Sequence, residues 1–121
     1  MIRRAAFASS DGVFIDLHYG RATAFFIYNL EGGPALLEKR HCYRIPGQGG
    51  VEQCMAHRPE ELEKAAELLK DCDALFVVKI GETPARFFME RGFRVFQIEA
   101  EIKQVLEEIV KENLTEGTEE R

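Results

Sequence analysis

The most constraining feature of the sequence is residues 74–80, a nearly continuous apolar run that reads Ala-Leu-Phe-Val-Val-Lys-Ile. Such a run predicts a strand that is covered on both faces of a sheet. Helical stretches precede and follow it. One begins at Pro59, and another is capped by Thr83-Pro84, continues through Met89 and is stopped by Gly92. Strands that alternate with helices in this way predict an α/β fold, with helices packed on the sheet.

The first half of the chain has strand-like segments at residues 2–8, at residues 24–30 and from residue 35 towards residue 45. Gly32-Gly33-Pro34 lies between the last two segments. This turn composition predicts a hairpin in which Pro34 stays outside the paired ladder, because proline has no N–H to donate.

The second half adds residues 94–98 as a strand and two helices with apolar stripes at helical spacing. The stripes consist of Leu62, Ala65, Ala66 and Leu69 in the helix from Pro59, and of Ile102, Val105, Leu106, Ile109 and Val110 in the final helix. The resulting order is β-β-β-α-β-α-β-α. It predicts a mixed five-stranded sheet in a ribonuclease-H-like three-layer fold. Ligands gather at the carboxyl ends of parallel strands, here the loops at residues 9–12 and 81–83.

The charge distribution excludes a general nucleic-acid binder. The chain has 121 residues and a net charge of −5, whereas residues 1–44 alone carry +2. A small anionic ligand should therefore prefer a site built from the first third of the chain. No apolar run is long enough for a membrane span or for a secretory signal. We expect a cytoplasmic single domain at residues 1–114, followed by a flexible acidic tail at residues 115–121.

The three cysteines do not predict disulfides. Cys42, Cys54 and Cys72 are odd in number and widely spaced, in a chain without an export signal. Metal ligation and plain burial both remain open. Cys72, which lies between two aspartates, is interpreted as a small buried apolar residue.

Residues 16–22, Asp-Leu-His-Tyr-Gly-Arg-Ala, form the first candidate site. They combine the imidazole of His18, a flexible glycine and the fixed cation of Arg21. An exposed histidine on a loop suits a soft or borderline metal, and the arginine suits an anionic ligand. The alternative is a solvated surface histidine near a turn.

Cys54 and His57 form the second candidate, a C-x-x-H pair that follows a glycine-rich stretch. Thiolate and imidazole can bind one metal, but a closed zinc site needs about four ligands and no second pair is present. His18, His41 or Cys42 could complete the ligand set only through folding. An incidental cysteine in a loop is an equal alternative.

A metal-dependent nuclease would need several carboxylates that converge on two cations. Asp11 and Asp16 are available, but residues 74–80 carry no acid. Most other acids lie on predicted helix faces or in the tail. The sequence therefore argues against nuclease chemistry.

The motifs together carry a family resemblance over roughly residues 2–110. They are Ala8-Ser9-Ser10-Asp11-Gly12, residues 16–22 before Phe25-Phe26-Ile27-Tyr28, residues 68–74, Ile80-Gly81, and Arg91-Gly92-Phe93-Arg94-Val95-Phe96. The chain resembles the dinitrogenase iron-molybdenum cofactor biosynthesis family, the domain of NifX, NafY and the C-terminal part of NifB. The family's usual His-Phe-Gly is His-Tyr-Gly here.

The resemblance implies a ribonuclease-H-like fold without nuclease activity, and binding of an iron–sulfur or iron–molybdenum cofactor precursor. By position, His18 would be the leading cluster ligand. Cys54 and His57 lie where some members place Cys or His. Ser9, Ser10 and the helix start at Thr83 could donate hydrogen bonds to the cargo, and Arg21 supplies positive charge.

The sequence thus leads to a non-enzymatic carrier of a metallocluster. Its expected partners are the cargo and a cluster donor or acceptor protein, without nucleic acid or membrane, and its expected state is a monomer or weak homodimer. The alternative is an interaction or regulatory module of the same fold that binds no metal. A Mg²⁺-dependent hydrolase that uses Asp11 and Asp16 is the remaining hypothesis.

Overall fold

A computed structural model describes residues 2–41 and 59–119, with side chains described for residues 2–41 and 62–113. The strands are β1 (Arg4–Ala8), β2 (Ala24–Asn29), β3 (Ala35–His41), β4 (Ala74–Val77) and β5 (Arg94–Gln97). The helices are α1 (Pro59–Leu68), α2 (Glu82–Glu90) and α3 (Ile102–Glu119). A one-turn 3-10 helix, Tyr19–Arg21, precedes β2 and is called the 3-10 turn below.

The strands form one mixed sheet in the order β3-β2-β1-β4-β5. β1 pairs antiparallel with β2 and parallel with β4, and β4 pairs parallel with β5. β2 and β3 form the predicted hairpin, with Pro34 in the connection rather than in the ladder. The predicted α/β class, five-stranded mixed sheet and element order are confirmed. The more specific ribonuclease-H-like assignment stays a prediction.

Each face of the sheet packs against its own helices. One cluster joins α1 and α2 to the sheet and includes Leu69, Leu75 and Phe88. The other joins α3 to the opposite face and includes Phe7 and Phe76. All four residues of β4 are buried, as the apolar run predicted. The three layers therefore follow from a central strand that has no solvent-exposed face.

Some boundaries differ from the sequence prediction. β4 ends at Val77 rather than at residue 80, because the backbone of the next two residues bonds to the loop after β1 instead of continuing the ladder. α2 is capped by Gly81, whose backbone is extended, and Thr83 lies inside its first turn. The backbone of α3 continues to Glu119. The helix thus includes much of the segment assigned to the tail, and the domain boundary at residue 114 remains a prediction.

In the described part of the chain, no helix combines the length and apolar character needed to cross a membrane.

An arginine–carboxylate cluster ties β3 to the helical layer. Arg40 donates two hydrogen bonds to the Asp71 carboxylate, at 2.6 and 2.8 Å, and a third to the carbonyl oxygen of Leu68 near the end of α1. Arg4 donates to the same carboxylate at 2.8 Å. These bonds, Arg40 foremost, hold the pKa of Asp71 well below its usual range. The neighbouring Cys72 is buried as predicted, and burial raises the pKa of its thiol to about 12, so it is not a reactive thiolate.

Replacement of Asp71 by Asn should reveal this cluster through the pH dependence of stability. A carboxyl whose folded pKa lies below its unfolded value of about 3.9 stabilises the protein above that pH, and the stabilisation is lost as the pH falls towards the folded pKa. Because the Asp71 side chain is 34% exposed, solvent screens the pair. We expect Asp71→Asn to lower the free energy of unfolding by roughly 1 kcal/mol near neutral pH. Urea unfolding of both proteins should show this difference shrinking in acid.

Glu67→Gln is the matched control, since Glu67 pairs with Lys70 on an exposed surface. It should change stability little at any pH. A difference between wild type and Asp71→Asn that stays constant from neutral to acid pH would contradict the assignment.

The loop after β1 depends on a glycine in a left-handed conformation. Gly12 has φ +79°, and a Cβ placed there would lie 2.8 Å from an edge carbon of the Phe26 ring in β2. Most residues avoid this conformation, and none with a Cβ fits against the ring without displacing it. Glycine at this position therefore lets the loop lie against the Phe26 ring without strain.

Gly12→Ala should lower the free energy of unfolding by about 2–4 kcal/mol, because the strained backbone and the contact with Phe26 add together. Gly32 separates the two causes. It also has positive φ, +77°, but a Cβ added to it would have no other atom within 4 Å. Gly32→Ala should therefore lower stability only through backbone strain, by about 1–2 kcal/mol. Equal losses in the two variants, measured by urea unfolding, would remove the Phe26 contact from the explanation.

Candidate functional site

The candidate site lies at the edge of the sheet where the parallel strands β1 and β4 end, called the carboxyl edge below. The loop after β1 and the residues after β4 are bonded to each other there. The Val78 N–H donates to the Leu17 carbonyl oxygen at 3.0 Å, and the Tyr19 N–H donates to the Lys79 carbonyl oxygen at 2.8 Å. Residues distant in sequence are thereby fixed at one edge, as expected for parallel strands.

Ser9 holds the loop from inside. Its side chain is fully buried, and its hydroxyl accepts hydrogen bonds from the N–H groups of Asp11 and Gly12 at 3.3 and 2.9 Å. The same hydroxyl lies 3.2 Å from a carboxylate oxygen of Asp11, to which it donates. Ser9 therefore positions the loop in this conformation rather than facing solvent.

Both acidic side chains of the loop bond to the loop itself. Asp11 accepts from the N–H groups of Val13 and Phe14 at 2.8 and 3.1 Å, which lowers the pKa of its carboxyl. Asp16 accepts from the backbone N–H of Ser10 at 2.9 Å and from its hydroxyl at 2.5 Å. These bonds account for two carboxylates that a Mg²⁺-dependent hydrolase would need as metal ligands, so the geometry gives that hypothesis no support.

The 3-10 turn presents His18 and Arg21 at the surface. His18 is the N-cap residue of the turn and is exposed, and its side chain makes no capping hydrogen bond. Arg21 is exposed in the last turn, and its N–H donates to the His18 carbonyl oxygen at 3.0 Å. An imidazole and a guanidinium are thus carried by one short, internally bonded segment.

Tyr19 anchors that segment. Its side chain is only 1% exposed, and its ring meets Phe88 of α2 edge to face, with 5.7 Å between the ring centroids. Gly20 has open space where a side chain would begin. Tyr19 belongs to the motif at residues 16–22, but its role as an anchor was not predicted from the sequence. A large aromatic residue between an exposed histidine and a glycine was the available signal for an anchor.

Thr83 is exposed in the first turn of α2, which starts shortly after the Lys79 carbonyl that binds Tyr19. N–H groups in the first turn of a helix have no partner within the helix and favour negative charge. Thr83 therefore belongs to the same edge as the 3-10 turn.

The other predicted metal ligands, Cys54 and His57, lie outside the described residues. Their approach to His18 therefore remains a prediction. His41 is the last residue of β3 and pairs with Ala24, so it is at the same end of the sheet as His18, and it is exposed. Within residues 2–41 and 62–113, no three side chains of the His, Cys, Asp or Glu type group together as a metal site.

The chain is similar in sequence to one protein family and to several known proteins. The family described as "Dinitrogenase iron-molybdenum cofactor" matches residues 1–112. The chain is 37% identical to Protein NifY of Klebsiella pneumoniae over 78 residues, 64% of this chain and 30% of that protein. It is 27% identical to Protein NifX of the same organism over 108 residues, 88% of this chain and 64% of that protein.

A third relative is the FeMo cofactor biosynthesis protein NifB of Klebsiella pneumoniae. It is 33% identical over 87 residues, which make up 72% of this chain and 19% of that protein. The chain therefore spans less than two thirds of the length of each of these relatives.

Two solved structures share the fold. The apo form of the orange protein from Desulfovibrio gigas superposes with a TM-score of 0.65 at 18% identity, covering 92% of this chain and 89% of that one. PH0822 superposes with a TM-score of 0.63, also at 18% identity, covering 89% and 90%. Since the family match covers residues 1–112, nearly the whole chain, this chain belongs to the dinitrogenase iron-molybdenum cofactor family.

Proposed function

We propose that this chain is a non-enzymatic carrier of an iron–sulfur or iron–molybdenum cofactor precursor, which binds at the carboxyl edge with His18 as its main protein ligand. The observation that carries the proposal is the exposed imidazole of His18 on a turn fixed by the buried Tyr19. The family match and the names of the relatives support this class of cargo.

The chemistry of the edge suits such a cargo. Iron–sulfur clusters are anionic, and imidazole is an accepted ligand for iron. Arg21 adds a fixed positive charge on the same turn, within the first third of the chain, which is net positive. Because the turn is held by backbone bonds and by Tyr19, cargo can bind and leave without refolding of the loop.

A small number of protein ligands suits a carrier better than a closed cage, since a carrier must release what it binds. His18 is one ligand from the described residues. Cys54 and His57 are proposed as exchangeable additional ligands. In sequence they follow β3, which ends at His41 on the same end of the sheet.

The serines and Thr83 have different parts in this proposal. Ser9 and Ser10 already use their hydroxyls within the loop, so they would contact the cargo only by giving up those bonds. Their present contribution is to hold the loop in place. Thr83 is exposed at the start of α2, where a hydroxyl and unpaired N–H groups can donate to sulfide or carboxylate.

We propose further that the partners are a protein that donates the cluster and one that accepts it, in the cytoplasm, and that the role lies in iron–molybdenum cofactor biosynthesis. The net negative charge of the chain argues against nucleic acid as a partner.

Anaerobic reconstitution with iron and sulfide tests the role of His18. Wild type should bind iron and develop a visible charge-transfer absorption, whereas His18→Ala should lose most of both because the imidazole ligand is gone. Removal of an outer partner of a metal site typically costs about 10–100-fold in affinity, and removal of a ligand should cost at least as much. Iron per chain and the absorption spectrum are measured on both proteins, side by side.

Glu67→Gln is the control, because Glu67 is exposed near the end of α1, just before β4 begins, and therefore lies at the opposite end of the sheet from His18. It should retain wild-type iron binding, and both variants should unfold at the wild-type urea concentration. Equal iron content in wild type and His18→Ala would remove His18 from the proposal. Absence of bound iron in wild type, also when the isolated cofactor is offered, would favour the interaction module that binds no metal.

A further inference from the structure

β5 is an edge strand of the sheet that the described residues form. Its outward-facing backbone groups are spaced symmetrically about Phe96. The Arg94 N–H donates to the backbone carbonyl oxygen of Asp73 at 2.9 Å, and the Ile98 N–H donates to the carbonyl oxygen of Val77 at 2.8 Å. Both bonds point towards β4. Because successive residues of a strand point their backbone groups in opposite directions, Val95 and Gln97 direct theirs outward. These two residues are equidistant from Phe96.

A ladder of stacked phenylalanines runs across the sheet and ends at this strand. Phe7 stacks on Phe76 with 4.8 Å between ring centroids, and Phe76 stacks on Phe96 at 4.7 Å, with interplanar angles of 12° and 10°. These spacings match the distance between adjacent strands. Phe96 is only partly buried, so the ladder stops at a half-covered ring.

A largely apolar cleft of about 210 Å³ lies beside the last ring, between β5 and α3, and Arg94, Glu108 and Glu112 also line it. Its walls include Ile98, which is 39% exposed, and Val105 and Ile109 of α3. An edge strand with outward backbone groups beside an apolar cleft is a template for another strand.

The charges on either side of Phe96 favour a second copy of β5 as the added strand. Arg94 precedes Phe96, whereas Glu99 and Glu101 follow it, and Arg91 is already paired within the chain, with Glu63 at 2.6 Å. An antiparallel copy of the same segment, centred on Phe96, would bring the basic end of one chain beside the acidic end of the other, twice. The segment is thus complementary to itself, as an isologous twofold interface requires.

We propose that two copies of this chain associate through antiparallel pairing of β5 with β5, which forms one continuous sheet. Val95 of each copy exchanges both backbone hydrogen bonds with Gln97 of the other, and the two Phe96 rings meet at the twofold axis and extend the ladder. In this register Arg94 of each copy lies opposite Ile98 of the other, and Glu99 is the next residue along. Because β5 has four residues, the dimer is weak and its population depends on concentration.

The pairing leaves the carboxyl edge of each copy free. Antiparallel strands related by a twofold axis point their carboxyl ends in opposite directions, so the two 3-10 turns lie at opposite ends of the joined sheet. The proposed dimer therefore does not rest on the proposed carrier function, and either can fail alone.

Sedimentation equilibrium of the full chain over a wide concentration range tests the dimer by charge reversal. Arg94→Glu places two acids at each contact, and Glu99→Arg places two bases there. Each variant alone should dimerise at least about tenfold more weakly than wild type, which corresponds to about 1.4 kcal/mol. An equimolar mixture of the two should recover association as a heterodimer, because each contact then joins opposite charges.

Lys39→Glu is the control, since it reverses an exposed charge on the opposite edge strand, β3, and should leave association unchanged. Circular dichroism and urea unfolding establish that every variant is folded. The mixture distinguishes a charge effect from misfolding, because a misfolded variant cannot restore association. A wild type that stays monomeric at the highest concentration, or single variants that dimerise like wild type, would overturn the proposal.

Discussion

The parallel pairing of β1 with β4 is the interaction on which the rest of the structure depends. Its register sets Ala5 opposite Ala74 and Phe7 opposite Phe76, so the two strands end at the same edge. The loops that follow are then bonded to each other through the backbone of Leu17, Tyr19 and residues 78 and 79. Without that pairing the 3-10 turn would have no support, and the two helical layers would have no common strand to cover.

The polar residues at the carboxyl edge divide into two groups with different roles. Ser9, Asp11 and Asp16 use their hydrogen-bonding capacity within the loop, and Gly12 lets the loop approach Phe26. His18 and Arg21 extend into solvent from the segment that the loop supports. This division explains how a site can be rigid in its backbone and still offer few, accessible side chains to a ligand.

The sequence predicted the features that depend on local pattern. The apolar run after Asp73 predicted a buried strand, the apolar stripes predicted the buried helix faces, and Cys72 was correctly placed in the core. Details that depend on tertiary contacts escaped it. No local pattern shows that the Tyr19 ring packs on Phe88 or that the Ser9 hydroxyl is buried. Nor does it show that β4 ends early because the residues after Val77 bond to the loop after β1. The capping position at Gly81 was missed because Thr83-Pro84 carries the stronger sequence signal.

The two edge strands of the sheet, β3 and β5, differ in their contacts with the rest of the structure. The β3 strand is tied to the helical layer by Arg40, which bonds to Leu68 and Asp71. In β5 the Gln97 side chain accepts a hydrogen bond from the Ile80 N–H, and the phenylalanine ladder ends at this strand beside the cleft. The ladder ends at Phe7, which meets Tyr28 edge to face, and at Phe96 on the edge strand, where a further ring could extend the stacking. The stacking of the phenylalanine rings therefore supports β5 as the strand through which the proposed dimer forms.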